Sequence, residues 1–158
     1  MGVALISDNS SFVISGIELK NRSWSNTTGL IQGVTTITSS NEAKKDFNGF
    51  QNTQSIAEYT HASAAYECTV TQFKNGQMGY LASVGEWMEI INNLDEINRC
   101  MSLIDGLDID EGTTSYWTST QYNSEKAWLM TYNGNEFYPN DEKKIVSFYA
   151  IRVISQLR

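Results

Sequence analysis

Gly79-Tyr80-Leu81-Ala82-Ser83-Val84-Gly85-Glu86-Trp87 is the stretch on which the fold turns. Ser83 and Glu86 stand three apart, S-x-x-E, directly ahead of an apolar run. At that spacing the serine hydroxyl and the glutamate carboxylate each accept a backbone N–H that a helix start leaves without a partner. Behind them Trp87, Ile90, Ile91, Leu94, Ile97 and Met101 recur at intervals of three and four. That is the stripe of a helix with one face against a core. Asn92-Asn93 predicts a break, with a second helix from about Asp95, and Gly106 closes the region.

Upstream, Ile56, Ala57, Ala64, Ala65, Cys68 and Val70 approximate a helical stripe, so the pattern predicts one helix over 53–73, capped by Asn52 or Thr53. Before it lies a loop-rich segment, 20–50, punctuated by Asn21, Asn26, Gly29, Gly33, Asn48 and Gly49, with Trp24 as a buried anchor. The chain opens on two expected strands, Val3 to Ser7 and Ser11 to Leu19, joined by the turn residues Asp8-Asn9-Ser10.

Downstream the period changes to two. Tyr116 to Thr120 reads as a strand, and so does Lys126 to Tyr132, with Trp128, Met130 and Tyr132 on one face. Asn133-Gly134 is a strong hairpin signal, because both central positions of a type I′ turn need a positive φ. Asn135 to Tyr138 returns, and Phe148 to Ile154 is the last strand. Strands, then helices, then strands make an α+β domain whose terminal strands pair in a small, mostly antiparallel sheet. The expected layout is a single domain over 1–158: N-terminal strands and loops to 50, helices over 52–104, and C-terminal strands with hairpins over 115–154.

Composition narrows the function. The chain is 41% apolar and only 18% charged, and Asn, Ser and Thr together fill 45 of its 158 positions. With eight Tyr and four Trp, this inventory suits adaptable recognition surfaces: Tyr gives rigid contact area, Ser and Asn give hydrogen bonds. A net charge of −7 disfavours nucleic acid and anionic membranes as partners. No stretch approaches the roughly 18 apolar residues of a spanning helix, and the N-terminus lacks the pattern of a secretory signal. Cys68 and Cys100 read as free thiols within helices, and His61, the sole histidine, as a packed or solvated helix residue.

Catalytic signatures are missing: no G-x-S-x-G, H-E-x-x-H, C-x-x-C or phosphate-binding glycine loop occurs. The acidic group Asp105, Asp108, Asp110 and Glu111 lacks EF-hand order and spacing, and reads as a solvated loop. Tyr138-Pro139-Asn140-Asp141-Glu142 lacks the carboxylate or amide before proline that a calcium-dependent sugar site uses. The expectation is therefore a non-enzyme, with no catalytic residue, no metal and no cofactor.

The segments Gly79–Trp87, Tyr116–Thr120, Ala127-Trp128, Asn133-Gly134 and Tyr149-Ala150-Ile151-Arg152-Val153 occur in this order. Together they resemble the C-type-lectin-like domains related to the formylglycine-generating-enzyme fold, as found in variable ligand-binding proteins of phages and bacteria. Asp46-Phe47-Asn48-Gly49, Asn52-Thr53, Gly2-Val3-Ala4 and Ser11–Ile14 extend the likeness over nearly the whole chain. Thr118-Ser119 replaces the usual Ser-Ser, and the charged run Asp141-Glu142-Lys143-Lys144 ends a hairpin often rich in Tyr and Asn. The resemblance implies a display surface made of Gln121, Tyr122, Asn123, Ser124, Tyr132, Asn135, Glu136, Tyr138, Asn140, Asp141 and Lys143. Trp117, Trp128 and Arg152 would be scaffold, with Arg152 tying strands to a buried acceptor. By resemblance the chain is an adhesion module, expected on a virion surface as a fibre or decoration protein, or on a bacterial cell surface. Its implied partners are a bacterial surface protein or glycan, other virion proteins and further copies of itself. The second reading is a structural virion component with no external ligand.

Overall fold

Strand formation starts where the terminal segments carry apolar residues on alternate positions. The computed structural model describes residues 1–109, 115–133 and 135–157. In chain order the elements are β1 (Gly2–Ile6), β2 (Ser11–Arg22), α1 (Ser40–Ala43), α2 (Gly49–Tyr59), α3 (Ala64–Thr69) and β3 (Gly79–Leu81). They continue as α4 (Val84–Asn92), α5 (Leu94–Leu103), β4 (Tyr116–Gln121), β5 (Lys126–Tyr132), β6 (Phe137–Lys143) and β7 (Tyr149–Gln156). This is an α+β fold, and its terminal strands pair: β2 lies antiparallel to β7.

The described strands form one seven-stranded sheet in the order β1-β2-β7-β4-β5-β6, with β3 also on β7. Its two halves meet at a parallel pairing of Tyr116 with Ala150. The sheet is buried on both faces. One face packs Phe12, Ile14, Tyr116, Trp128 and Met130 against Trp87, Ile90, Ile97 and Met101 of α4 and α5. The other packs Trp117, Leu129, Ile151 and Val153 against Trp24, Ile56, Ala64 and Cys68. Burial on both sides explains why β7 is buried through six consecutive residues, Ala150 to Ser155.

The capping box forms as the sequence predicts. Ser83 accepts from the Glu86 N–H at 3.4 Å, and the Glu86 carboxylate accepts from the Ser83 N–H at 2.8 Å. The break at Asn92-Asn93 also stands, with Asn93 as C-cap of α4 and N-cap of α5. Trp24 is fully buried, and its indole N–H donates to the Thr118 carbonyl at 2.8 Å. Arg152 is fully buried and pairs with Glu18 at 2.8 Å, while donating to the carbonyls of Ser15, Leu107 and Asp108.

The single helix expected over 53–73 is instead two. Thr60 adopts an extended conformation, its hydroxyl accepts the Ala62 N–H, and the Ser63 side chain then caps α3 by accepting from Tyr66 N–H. Local side-chain bonds of this kind compete with a continuous helix. The cap of α2 is Asn48, without a side-chain bond, rather than Asn52 or Thr53. Both of those are buried and serve other contacts. Cys68 and Cys100 are free, Cys68 buried and Cys100 partly so. His61 is exposed and stacks on Tyr66, ring centroids 4.2 Å apart. Asp110, Glu111 and Gly134 lie outside the described residues.

Candidate functional site

The β5–β6 hairpin carries most of the sequence-predicted display residues, and its register decides which of them share a face. Lys126 pairs with Lys143, Trp128 with Asp141, Leu129 with Asn140, Thr131 with Tyr138 and Tyr132 with Phe137. Side chains alternate across a strand and directly opposed residues share a face. Tyr132, Asp141 and Lys143 therefore stand on the face that holds Trp128, while Tyr138 and Asn140 stand on the face that holds Leu129. The predicted surface is not one patch.

Gln121 is a correction. It is fully buried, with its amide nitrogen donating to Ile31 O and Thr36 Oγ1. Its amide oxygen accepts from the Ile31 N–H and, at 2.6 Å, from Lys144 Nζ. Lys144 is also fully buried; it donates to Gly29 O and lies 4.7 Å from the Trp24 ring centroid. Burial pushes its ammonium down to about 8. Gln121 thus anchors the 29–36 loop and displays nothing. The resemblance places it on the display surface, but β4 runs one residue beyond Thr120 and carries Gln121 into the buried sheet.

Half-buried Tyr138 and exposed Asn140 stay apart on the Leu129 face, and the rest, half-buried or exposed, form two groups. At the base of the hairpin, Tyr122 stands edge-on to Trp128 at 5.2 Å, with Lys126 Nζ 5.8 Å from its ring. Lys126 pairs with Asp141 at 2.8 Å, and Lys143 is exposed nearby on the same face. Asn123 is committed to the turn, since its Oδ1 accepts the N–H groups of Glu125 and Lys126. Ser124 is exposed, and its carbonyl accepts from Gly29 N–H.

At the tip, Asn133 Oδ1 accepts the N–H groups of Asn135 and Glu136, so the connection spans four residues rather than two. This leaves the side chains of Asn135 and Glu136 exposed, without a hydrogen bond to any described residue. They border a cleft of about 400 Å³ between the hairpin tip and the α4–α5 junction. Ile91, Leu94, Tyr132 and Phe137 supply its apolar lining, with the Tyr132 and Phe137 rings 5.1 Å apart. Asn92, Asn93, Asp95, Glu96, Asn135 and Glu136 supply its polar groups. Tip and base lie about 20 Å apart along β5, from its rise of about 3.3 Å per residue.

Sequence reasoning missed the helical half of this cleft. Asn92-Asn93 read only as a helix break, and Asp95 only as the approximate start of the second helix. Asn93 is partly committed, donating to Glu89 O at 2.8 Å. Glu96 pairs with Arg99, which holds its carboxyl below the ordinary value. Asp95 has no hydrogen-bond or ion-pair partner among the described residues. The half-buried Tyr132 ring, backed by buried Phe137 and ringed by amides and carboxylates, can pack against an apolar ligand group while the amides and carboxylates hydrogen-bond its polar groups. Among the described residues no group of three His, Cys, Asp or Glu could hold a metal ion, and no helix is long and apolar enough to cross a membrane.

The described geometry defines an α+β protein with a polar cleft at one end of its sheet. No family model and no curated protein matches the chain. Among solved structures, it is similar to a fimbrial protein from Bacteroides ovatus ATCC 8483, at 16% identity and a TM-score of 0.64. The alignment covers 93% of this chain and 36% of that one, so the chain spans about a third of the fimbrial protein's length. At this identity the likeness concerns the fold alone.

Proposed function

We propose that this chain is a non-enzymatic adhesion module of C-type-lectin-like architecture, and that it recognises a bacterial surface protein or glycan through the cleft between the hairpin tip and the α4–α5 junction. The observation that carries the reading is the convergence of Tyr132, Asn135 and Glu136 with Asn92, Asn93 and Asp95 around an open cleft. Few of these polar groups are committed to the fold, which leaves them available to a ligand. Support for the C-type-lectin-like architecture comes from the ordered motifs together with the pairing of the terminal strands. The fold shared with a fimbrial protein favours display on a bacterial cell surface over a virion surface.

The test is binding of labelled protein to a panel of bacterial cells and immobilised glycans, beside the folded triple variant Tyr132→Ala, Asn135→Ala, Glu136→Ala. Saturable binding that the triple variant loses supports the reading. Binding that the variant retains moves the contact to the Tyr122–Lys126–Asp141 group at the base of the hairpin. No binding by either protein favours a structural component of a larger assembly.

A further inference from the structure

The two outer edges of the sheet are guarded very differently. Beyond β6, nothing among the described residues pairs with the sheet, and that strand carries Pro139, Asp141, Glu142 and Lys143. Proline and charge are the usual means of stopping an edge from pairing with another chain. The opposite edge is β1, Gly2-Val3-Ala4-Leu5-Ile6, with no charge and no proline. In a chain of net charge −7, an uncharged apolar edge strand stands out.

The ladder shows which β1 groups are free. Gly16 N–H donates to Met1 O at 3.2 Å, and the register then pairs Gly2 with Ser15, Val3 with Ile14 and Leu5 with Phe12. Bonded and non-bonded pairs alternate in an antiparallel ladder. Met1, Val3 and Leu5 therefore face β2, while Gly2, Ala4 and Ile6 aim their N–H and C=O groups outward. Val3 and Leu5 bury their side chains in the core, whereas Ala4 is exposed and Ile6 is 74% exposed.

We infer that β1 pairs antiparallel with β1 of a second copy, about a two-fold axis at Ala4. Only even-numbered residues present free groups, so Ala4 opposes Ala4 of the second copy and Gly2 opposes its Ile6. This register uses every outward group of the strand from Gly2 to Ile6 and brings two small alanines together at the axis. It also sets each exposed Ile6 beside the glycine of the other copy. At Gly2 an apolar cavity of about 330 Å³ opens, lined by Met1, Val13, Phe73 and Leu157 among others. A Cβ on Gly2 would run into the Ile14 carbonyl and lie 2.7 Å from Val13 Cγ1, and Val13 also lines the cavity. The same uncharged strand on both copies makes the contact self-complementary, as a two-fold interface requires. A contact of two five-residue strands is small, so the dimer belongs to the weak class below about 1,200 Å². This inference is independent of the cleft.

The test joins sedimentation velocity over a broad concentration series with disulfide trapping. Wild-type protein shifts from monomer to dimer with rising concentration, and the folded surface variant Ile6→Lys loses the shift. In a Cys100→Ser background, Ala4→Cys cross-links to itself under mild oxidation. Opposed residues of a bonded pair have Cα atoms about 5.5 Å apart, within disulfide reach. Exposed Ile17→Cys on β2 is the control. A wild-type protein that stays monomeric overturns the proposal. So does a dimer indifferent to Ile6→Lys, open-ended assembly, or Ala4→Cys cross-linking no faster than Ile17→Cys.

Discussion

At the start of α4, Asp46, Asn52, Ser83, Glu86 and Thr120 donate to and accept from one another in a buried network, whereas Asn135 and Glu136 at the hairpin tip leave the same kinds of group unpartnered in solvent. Asp46 Oδ1 accepts from Asn48 N–H, and its Oδ2 accepts from Asn52 Nδ2 at 3.0 Å and Thr120 Oγ1 at 2.7 Å. Its carbonyl accepts from Ser83 Oγ and from the Gly85 N–H. A Cβ at Gly85 would run into that carbonyl, and one at Gly49 would run into the Glu86 carboxylate, so glycine is required at both places. Burial has made these groups depend on each other, because an unsatisfied polar atom in the interior is expensive. At the tip water satisfies them at no cost to the fold, and a ligand can take the place of the water. Polar residues of one type thus hold this fold together at one site and remain free for recognition at the other.

The largest effect is expected where the network is broken. Asp46→Ala removes the acceptor of three donors, Asn48 N–H, Asn52 Nδ2 and Thr120 Oγ1. Asn48 is exposed, so the buried groups left unsatisfied are those of Asn52 and Thr120; at about 1–3 kcal/mol each the loss is about 2–6 kcal/mol, read by urea unfolding. A loss below about 1 kcal/mol would mean that water enters this site and that the contrast with the tip is false.

A smaller effect, visible only against pH, is expected at Glu86. Burial, aided by the neighbouring Asp46 carboxylate and opposed by the bonds from Ser83, pushes its carboxyl from 4.5 up to about 7. Between those values the folded protein binds a proton that the unfolded chain releases. Glu86 therefore lowers stability as pH rises from 4.5 through 7, and its contribution is greatest at the acid end of that window. Glu86→Gln keeps a capping-box residue but has no proton to lose, so it flattens this part of the curve. Thermal melts from pH 4.5 to 8 decide the matter, and an unchanged slope would remove Glu86 from the account.

The smallest effect belongs to the tip. Asn135→Ala with Glu136→Ala should alter unfolding free energy by no more than about 0.5 kcal/mol, as for surface positions without partners. A larger loss would show that the tip stabilises the fold and is not reserved for a ligand.

Much of this was legible beforehand. The S-x-x-E cap, the stripe behind it and the Asn92-Asn93 break follow from spacing alone, because capping and helical periodicity act within a few residues. The limits of β5 and the pairing of the terminal strands were also readable from alternation and element order. The split of the 53–73 helix was not, because the side-chain bonds of Thr60 and Ser63 compete with a helix pattern that continues through them. β6 was readable only in part: the returning strand was expected over Asn135 to Tyr138, whereas it runs over Phe137–Lys143 and takes Asp141, Glu142 and Lys143 into the sheet edge.

Local chemistry thus decided, from sequence alone, the α+β class, the capped start of α4, the break before α5 and the limits of β5. Tertiary structure alone decided which polar residues are buried: it placed Gln121 and Lys144 inside, divided the hairpin between two faces, and brought Asn92, Asn93 and Asp95 beside Asn135 and Glu136. The reason is physical. An Asn or Gln side chain has the same bonding capacity in water and in a core, so its type does not reveal its environment. That depends on packing between segments tens of residues apart.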